Sequence, residues 1–221
     1  MPTIVTHDGH HTPHFGKQKL LDVSGNSSFA GMVFESLSEK TPTKKELVLF
    51  ELLLNLSIDH GENAPSTKAT IAASSVGKNM GEAVAEGVRM VNTIHGGAQE
   101  PLMRLLYQMH EGKDPESIVS EYLKAKKRIP GFGHRLYNKD PRAGAVIQKI
   151  EQLRLSEEYI SLAKKLETEL YRVAKKKYPI NIDGAIAIAL CTMGWRPEWS
   201  QAVFIVGRSA GLSAHYIKKR G

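Results

Sequence analysis

Helix start signals recur along this chain, whereas no stretch of it alternates polar and apolar residues with a period of two. The segment Thr43–Glu46 has the form of a capping box, in which a Thr and a Glu three residues later satisfy the first backbone N–H groups of a helix. Asp114 and Asp140 each precede a proline, the order typical of a helix cap and a first helical position. Apolar residues in 159–173 follow the three-to-four spacing of an amphipathic helix. The sequence therefore predicts a nearly all-α fold.

Several predicted helices are rich in small residues and apolar on more than one face: 69–75, 81–91, 185–191 and 202–214. Such helices are usually buried, so we expect them in the middle of the molecule or against another subunit. The apolar run 47–58 contains Glu51 and Asn55 and is shorter than the roughly 18 apolar residues that a membrane helix needs. We expect a buried core helix there and no membrane partner.

A net charge of +7, from 30 Lys and Arg against 23 Asp and Glu, favours anionic partners. Nucleic acid, an anionic membrane and a polyanionic metabolite such as a CoA thioester all fit that charge. Aromatic residues make up only 7% of the chain and no RNA- or DNA-binding motif is present, so we expect no nucleic-acid partner. The single cysteine, Cys191, has no partner for an internal disulfide, and a reducing, cytoplasmic location is the simplest expectation.

Five segments place ionisable residues beside glycines or other small residues: 59–61 around His60, 94–98 around His95, 131–134 ending in His134, 181–184 around Asp183, and 207–211 around Arg208. Taken alone, each segment has an ordinary structural interpretation, such as a histidine at a turn, an aspartate at a helix start or an arginine in an ion pair. Arg142, eight residues after His134, adds a permanent positive charge. Their joint occurrence favours an acid–base site that holds an anion.

The order and the amino-acid sequences of these segments resemble the citrate synthase superfamily over residues 27–217. The phrases at 181–187 (Asn-Ile-Asp-Gly-Ala-Ile-Ala) and 206–216 (Val-Gly-Arg-Ser-Ala-Gly-Leu-Ser-Ala-His-Tyr) are most similar to citryl-CoA lyase and to the citryl-CoA lyase part of ATP-citrate lyase. His95 stands where the ATP-citrate lyase version lacks a histidine. The resemblance implies an all-α, citrate synthase-like fold. Its large helical domain would be 1–96 with 189–221, and its smaller inserted helical domain would be 97–188.

The same resemblance implies a role for each residue of the site. Asp183 would move a proton at the methyl carbon of acetyl-CoA, His95 as a neutral donor would hold the thioester enolate oxygen, and His134 would exchange a proton with the oxaloacetate half. The substrate carboxylates would be bound by His60, Arg142 and Arg208. Coenzyme A is expected along one basic, glycine-rich stretch: Lys127, Arg128, Ile129, Pro130, Gly131, Phe132 and Gly133. The CoA thioester is then a substrate, and neither a metal nor a tightly bound cofactor is implied.

The motif sequences and the chain length favour a citryl-CoA lyase, which cleaves citryl-CoA to acetyl-CoA and oxaloacetate. Two alternatives stay open: a short citrate synthase that condenses those products to citrate, and a non-catalytic basic helical protein that binds anions or nucleic acid. A homodimer or a higher oligomer is expected, because single copies of this fold would expose apolar helix faces. The superfamily usually adds an arginine from the partner subunit, beyond the Gly-Arg-Ser helix. Here Arg220 or a neighbouring lysine is the candidate substitute.

Four histidines near the N-terminus, His7, His10, His11 and His14, have spacings that occur in zinc sites on helices. A glycine and a proline among them oppose a helix, and no partnering Cys or Glu pattern accompanies them. We expect a flexible or loosely docked arm here and no metal site.

Overall fold

The computed structural model describes residues 3–92, 95–134 and 138–221 of the chain. Helices dominate these residues, as predicted: α1 (Leu20–Asn26), α2 (Phe29–Ser38), α3 (Lys44–Ser57), α4 (Pro65–Ser75), α5 (Met80–Arg89), α6 (Gln99–His110), α7 (Pro115–Lys124), α8 (Pro141–Gln152), α9 (Glu158–Ala174), α10 (Ile182–Thr192) and α11 (Ser200–Arg220). A 3-10 helix, Pro197–Trp199, precedes α11. Three short strands lie near the N-terminus: β1 (Val5–His7), β2 (Pro13–Phe15) and β3 (Gln18–Lys19).

The predicted helix starts are confirmed by their capping hydrogen bonds. Before α3, the backbone N–H of Thr43 donates to a Glu46 carboxylate oxygen at 2.8 Å, and the N–H of Glu46 donates to Thr43 Oγ1 at 3.2 Å. Asp114 accepts from the N–H of Ser117 at 2.9 Å at the start of α7. Asp140 caps α8 in the same way. Local side-chain chemistry therefore sets where these helices begin.

The strands form a small antiparallel sheet in the order β1-β2-β3, which the sequence does not predict. Thr6 of β1 lies opposite His14 of β2. The Asp8 carboxylate accepts from the backbone N–H groups of His10 and Thr12, both at 2.9 Å, and so fixes the turn between the first two strands. Strands of two or three residues are too short to produce a detectable alternation of polar and apolar residues.

The backbone forms two compact units, residues 1–51 and 52–221. In the first unit, the rings of Phe34 and Phe50 are fully buried and meet edge to face with centroids 5.2 Å apart. The second unit contains every residue of the predicted active site. The predicted division into 1–96 with 189–221 and 97–188 stays a prediction.

Helix α10 is the centre of the second unit. It packs against α6, α8 and α9, and nine of its eleven residues are buried, which confirms the central position predicted for 185–191. Helix α11 packs against α4 and α5. Cys191, on α10, is a buried free thiol. Among the described helices, none combines the length and the apolar character that crossing a bilayer requires.

The start of α10 lies directly against the loop before α8. The carbonyl oxygen of Gly131 accepts a hydrogen bond from the backbone N–H of Asn181 at 3.0 Å. A Cβ added to Gly184 would overlap that carbonyl oxygen, and a Cβ added to Gly131, whose φ is +80°, would overlap the side chain of Leu102. Two glycines thus allow the loop and the helix to touch backbone to backbone.

We expect Gly184→Ala to lower the free energy of unfolding by about 1–3 kcal/mol, because the added methyl group pushes the loop away from α10. Gly144→Ala is the matched control: this glycine lies in α8, and a Cβ there meets no atom within 4 Å. Alanine in a helix interior is up to about 1 kcal/mol more favourable than glycine, so the control should be as stable as the wild type or more so. Urea unfolding followed by circular dichroism measures both variants. Equal stabilities would contradict the close approach.

Candidate active site

The predicted catalytic and binding residues lie mainly at helix ends within residues 52–221. His60 follows α3, His95 precedes α6, His134 lies in the loop before α8, Arg142 and Asp183 lie in the first turns of α8 and α10, and Arg208 lies within α11. Helix starts present unpaired backbone N–H groups and the positive end of the helix dipole, an arrangement that suits anionic ligands. Ile94, which belongs to the predicted segment 94–98, lies outside the described residues, as do residues 135–137 between His134 and Arg142.

Asp140 connects the starts of α8 and α10. Its side chain is fully buried and accepts from Nε and Nη2 of Arg142 at 3.0 and 2.9 Å. It also accepts from the backbone N–H groups of Arg142 and Ile182, both at 3.1 Å. Burial alone would raise the pKa of Asp140, but the Arg142 guanidinium and these N–H groups hold the pKa below its usual value. The ionised carboxylate therefore fixes Arg142 beside the residue that precedes Asp183.

Arg142 also faces a pair of histidines. Its Nη2 lies 3.4 Å from Nε2 of His134. The rings of His134 and His60 meet edge to face, with centroids 5.5 Å apart. Burial lowers the pKa of His60, and the positive charge of Arg142 lowers it further, so the neutral imidazole is favoured. The structure thus brings together His60, His134 and Arg142, which are far apart in sequence or separated by a turn.

Asp183 is partly buried in the first turn of α10. Its Oδ1 accepts a hydrogen bond from Nε2 of Gln99 at 3.1 Å. Desolvation by the surrounding protein raises the pKa of Asp183 to about 6, and the negative charge of Asp140 acts in the same direction. The positive charges of Arg142 and Arg208 oppose that rise. A carboxyl group poised near neutral pH can both accept and return a proton.

Arg208 is joined to His95 through Ser66. Ser66 Oγ lies 3.0 Å from Nε2 of His95 and accepts from Nη1 of Arg208 at 3.2 Å. Arg208 is only 2% exposed, and its Nε donates to the carbonyl oxygen of Ser57 at 2.8 Å. The ring of Phe204 lies 4.5 Å from the guanidinium carbon and edge to face with the His95 ring. These contacts therefore fix the side chains of both His95 and Arg208.

The loop predicted to bind coenzyme A is attached to the start of α10. The N–H of Gly133 donates to the carbonyl of Pro179 at 2.8 Å, and Asn181 Nδ2 donates to the carbonyl of Gly133 at 2.7 Å. With the bond between Asn181 and Gly131, these contacts flank an isolated bridge between Phe132 and Ile180. Ile129 is buried, Pro130 is partly buried, and Lys127 and Arg128 are exposed. The loop, Asn181 and Asp183 therefore form one continuous piece of structure.

The whole chain, residues 1–221, matches the family described as citrate synthase, C-terminal domain. The chain belongs to the citrate synthase family. This membership confirms the resemblance found in the sequence and accounts for the helical, citrate synthase-like fold.

Solved structures and curated proteins extend the comparison. The citryl-CoA lyase of Hydrogenobacter thermophilus has a TM-score of 0.90 and 36% identity, over 99% of this chain and 86% of that one. The ATP citrate lyase of Methanothrix soehngenii, solved in complex with citrate and coenzyme A, has a TM-score of 0.86 and 25% identity, over 100% of this chain and 38% of that one. A citrate synthase of Synechocystis sp. is 29% identical over 194 residues, which are 85% of this chain and 49% of that protein. The chain thus spans about half the length of the curated citrate synthases it matches.

Two buried polar residues of this citrate synthase-family site are not predicted from the sequence. Ser66 is fully buried and contacts Arg208 across 142 positions of sequence, and Gln99 is fully buried and contacts Asp183 across 84 positions. Both stand at the start of a helix, where a Ser or Gln is unremarkable. No local pattern at either residue indicates these contacts.

The N-terminal histidines lie in and around the first two strands. His7 lies in β1 and His14 in β2, where Nδ1 of His14 is 3.0 Å from the carbonyl oxygen of Thr12. Among the residues that the structure describes, no group of three or more His, Cys, Asp or Glu side chains is arranged to hold a metal.

Arg220, the candidate substitute for the partner-subunit arginine, lies against its own chain. Its Nη2 donates to the carbonyl oxygen of Lys78 at 3.2 Å, and its guanidinium lies 5.7 Å from the ring centre of Tyr216. These contacts place it beside the turn between α4 and α5. Its participation in a partner's site stays a prediction.

We expect Asp140→Asn to lower the free energy of unfolding at neutral pH by about 1.5–3 kcal/mol, the usual value of hydrogen bonds to a charged group. The reason is that Arg142 keeps its charge while the carboxylate that binds it is lost. Asp114→Asn is the matched control. Asp114 also caps a helix before a proline, but it is exposed, and asparagine caps a helix about as well as aspartate. Urea unfolding at pH 7 compares the variants, and equal losses would contradict the role of Asp140.

The difference in stability between wild type and Asp140→Asn depends on pH. Because the pKa of Asp140 is lowered in the folded protein, its stabilising effect is complete above the unfolded pKa of about 3.9 and is lost as the pH falls through the folded value. The stability difference between wild type and Asp140→Asn should therefore narrow as the pH falls below about 4. A difference that stayed constant down to about pH 2 would contradict the lowered pKa.

Proposed function

We propose that this chain is a citryl-CoA lyase, which cleaves citryl-CoA to acetyl-CoA and oxaloacetate. The observation that carries the proposal is the likeness to the Hydrogenobacter thermophilus lyase, which covers 99% of this chain and 86% of that one. Two further features support it. The chain contains His95, His134 and Asp183 in one unit, and the pKa of Asp183 lies near neutral.

Binding of the substrate begins with charge. Citryl-CoA carries carboxylates and phosphates, and Arg142 and Arg208 supply fixed guanidinium groups that neutralise carboxylates. Arg142 is balanced by Asp140, whereas no carboxylate among the described residues forms an ion pair with Arg208. His60, whose neutral form is favoured, donates a ring N–H hydrogen bond to a substrate carboxylate.

Cleavage then needs one base and one acid. His134 accepts the hydroxyl proton of the citryl unit, the carbon–carbon bond breaks, and a carbonyl forms on the oxaloacetate half. The electron pair of that bond enters the thioester as an enolate. Asp183 in its protonated form delivers a proton to the enolate carbon, which becomes the methyl group of acetyl-CoA. A carboxyl pKa of about 6 suits this step, because an acid with a pKa near the working pH is efficient in both directions.

His95 is proposed to stabilise the enolate oxygen as a neutral donor. Ser66 Oγ already accepts from Arg208, so its hydroxyl hydrogen is available for Nε2 of His95. An imidazole that accepts at Nε2 carries its hydrogen on Nδ1 when it is neutral. That N–H is the group that would hold the enolate oxygen.

Coenzyme A is proposed to lie along residues 127–133. In the bridge between Phe132 and Ile180, the hydrogen bonds come from the flanking residues, so the N–H and C=O of Phe132 point away from it. Those groups suit the edge of an adenine ring. The exposed side chains of Lys127 and Arg128 suit the phosphates.

The second candidate is a citrate synthase, which the curated relatives such as the Synechocystis protein favour. Both reactions use the same acid, base and oxyanion donor. They differ in whether citryl-CoA is hydrolysed before release, which depends on closure of the site and the placement of a water molecule.

One assay separates these candidates. Purified protein is given (S)-citryl-CoA, oxaloacetate is followed by coupling to malate dehydrogenase, and free thiol is measured in parallel. We expect oxaloacetate without free thiol, because acetyl-CoA keeps its thioester. Free thiol with little oxaloacetate would assign the chain as a citrate synthase, and neither product would contradict both assignments.

We also propose that the protein is a homodimer in a cytoplasmic, reducing environment. Exposed apolar side chains support association, since Val76 at the end of α4 is 77% exposed and Ile217 on α11 is 60% exposed. Sedimentation equilibrium checks the oligomeric state. A monomer at micromolar concentration would contradict the dimer.

A further inference from the structure

Gln99 is the first residue of α6, and its side chain is completely buried. Its Nε2 donates to Oδ1 of Asp183 at 3.1 Å, and no other donor to that carboxylate is found among the described residues. The contact joins the starts of α6 and α10, two helices that pack against each other. Gln99 also follows His95 by four residues, so it lies on the segment that carries another proposed catalytic group.

The second polar atom of this side chain is unusual. Oε1 of Gln99 is buried and has no hydrogen-bond partner among the described residues. A buried, unpaired carbonyl oxygen is destabilising, so an apolar residue of the same size would pack at this position more favourably. Packing alone therefore does not account for a glutamine here, whereas the N–H group aimed at Asp183 does.

We propose that Gln99 is a positioning residue that holds Oδ1 of Asp183, so that Oδ2 is the oxygen that carries the proton to and from the substrate. This inference rests on the proposed function of the site. A carboxylate rotates easily about its last side-chain bond, and one fixed oxygen restricts it to a single orientation. A misplacement of a reacting group by about 1 Å lowers rates by as much as 100-fold, so such fixing matters for turnover.

Gln99 acts on the charge of Asp183 as well as on its direction. An N–H donor stabilises the ionised carboxylate and so opposes the effect of burial on the pKa. Loss of the donor raises the pKa of Asp183 further. In the cleavage direction the active form is the protonated one, so the pH above which kcat/KM falls should move upward with that pKa.

The test compares Gln99→Met with wild type. Methionine has nearly the same length and volume but no N–H group. We expect kcat for citryl-CoA cleavage to fall about 10- to 100-fold with little change in KM, and the alkaline limb of kcat/KM to move to higher pH. Gln108→Met is the matched control, because Gln108 is an exposed glutamine on the same helix. It should keep the wild-type rate and profile.

A second measurement does not depend on turnover. With carboxyl-¹³C aspartate incorporated, the NMR signal absent from Asp183→Asn identifies Asp183, and its titration gives the pKa directly. We expect a higher pKa in Gln99→Met and the wild-type value in Gln108→Met. Gln99→Asn keeps the amide, but its side chain is one carbon shorter, so the pKa of Asp183 should also rise in this variant. It replaces Gln99→Met in the test if the methionine variant does not fold.

The outcomes separate the two proposals. A wild-type protein that neither cleaves nor forms citryl-CoA overturns the proposed function, and the NMR titration still decides whether Gln99 sets the state of Asp183. An active wild type with an unchanged pKa and pH profile in both Gln99 variants overturns the inference. A lower kcat with an unchanged pKa also overturns it, because that result indicates a structural role alone.

Discussion

The site depends on one buried carboxylate, that of Asp140. It caps α8, accepts hydrogen bonds from Nε and Nη2 of Arg142 and accepts another from the backbone N–H of Ile182 at the start of α10. One side chain thus sets the position of Arg142, which we propose binds a substrate carboxylate, and of the helix turn that carries Asp183. The arrangement requires that Asp140 stay ionised, which the lowered pKa ensures at neutral pH.

The two arginines of the site differ in the groups that neutralise their positive charge. Arg142 has a carboxylate partner, whereas the described contacts of Arg208 are a backbone carbonyl, a hydroxyl and an aromatic ring. Burying a guanidinium with neutral partners is costly unless an anion joins it. The positive charge of Arg208 therefore suits a substrate that carries carboxylates. The charges of Arg142 and Arg208 also keep the pKa of Asp183 from rising further with burial.

The sequence predicts the parts of this protein that depend on neighbouring residues. The cap at Thr43, the caps at Asp114 and Asp140 and the central, small-residue helix α10 all follow from local patterns, and all are confirmed. The short strands near the N-terminus leave no periodic signal. The contacts of Gln99 with Asp183 and of Ser66 with Arg208 join distant positions, so no local pattern reveals them. The resemblance to a family located the candidate residues, and the packing of helices supplies their geometry.

The proposed function requires that Asp183 exchange a proton with the methyl carbon of a CoA thioester. The most direct measurement is the rate at which the methyl protons of acetyl-CoA are replaced by deuterium in D₂O, followed by ¹H NMR with malate present in place of oxaloacetate. We expect exchange by the wild type that rises as the pH passes about 6, and exchange at least about 100-fold slower with Asp183→Asn. Equal exchange rates for the two proteins would contradict the assignment of Asp183 as the group that moves this proton.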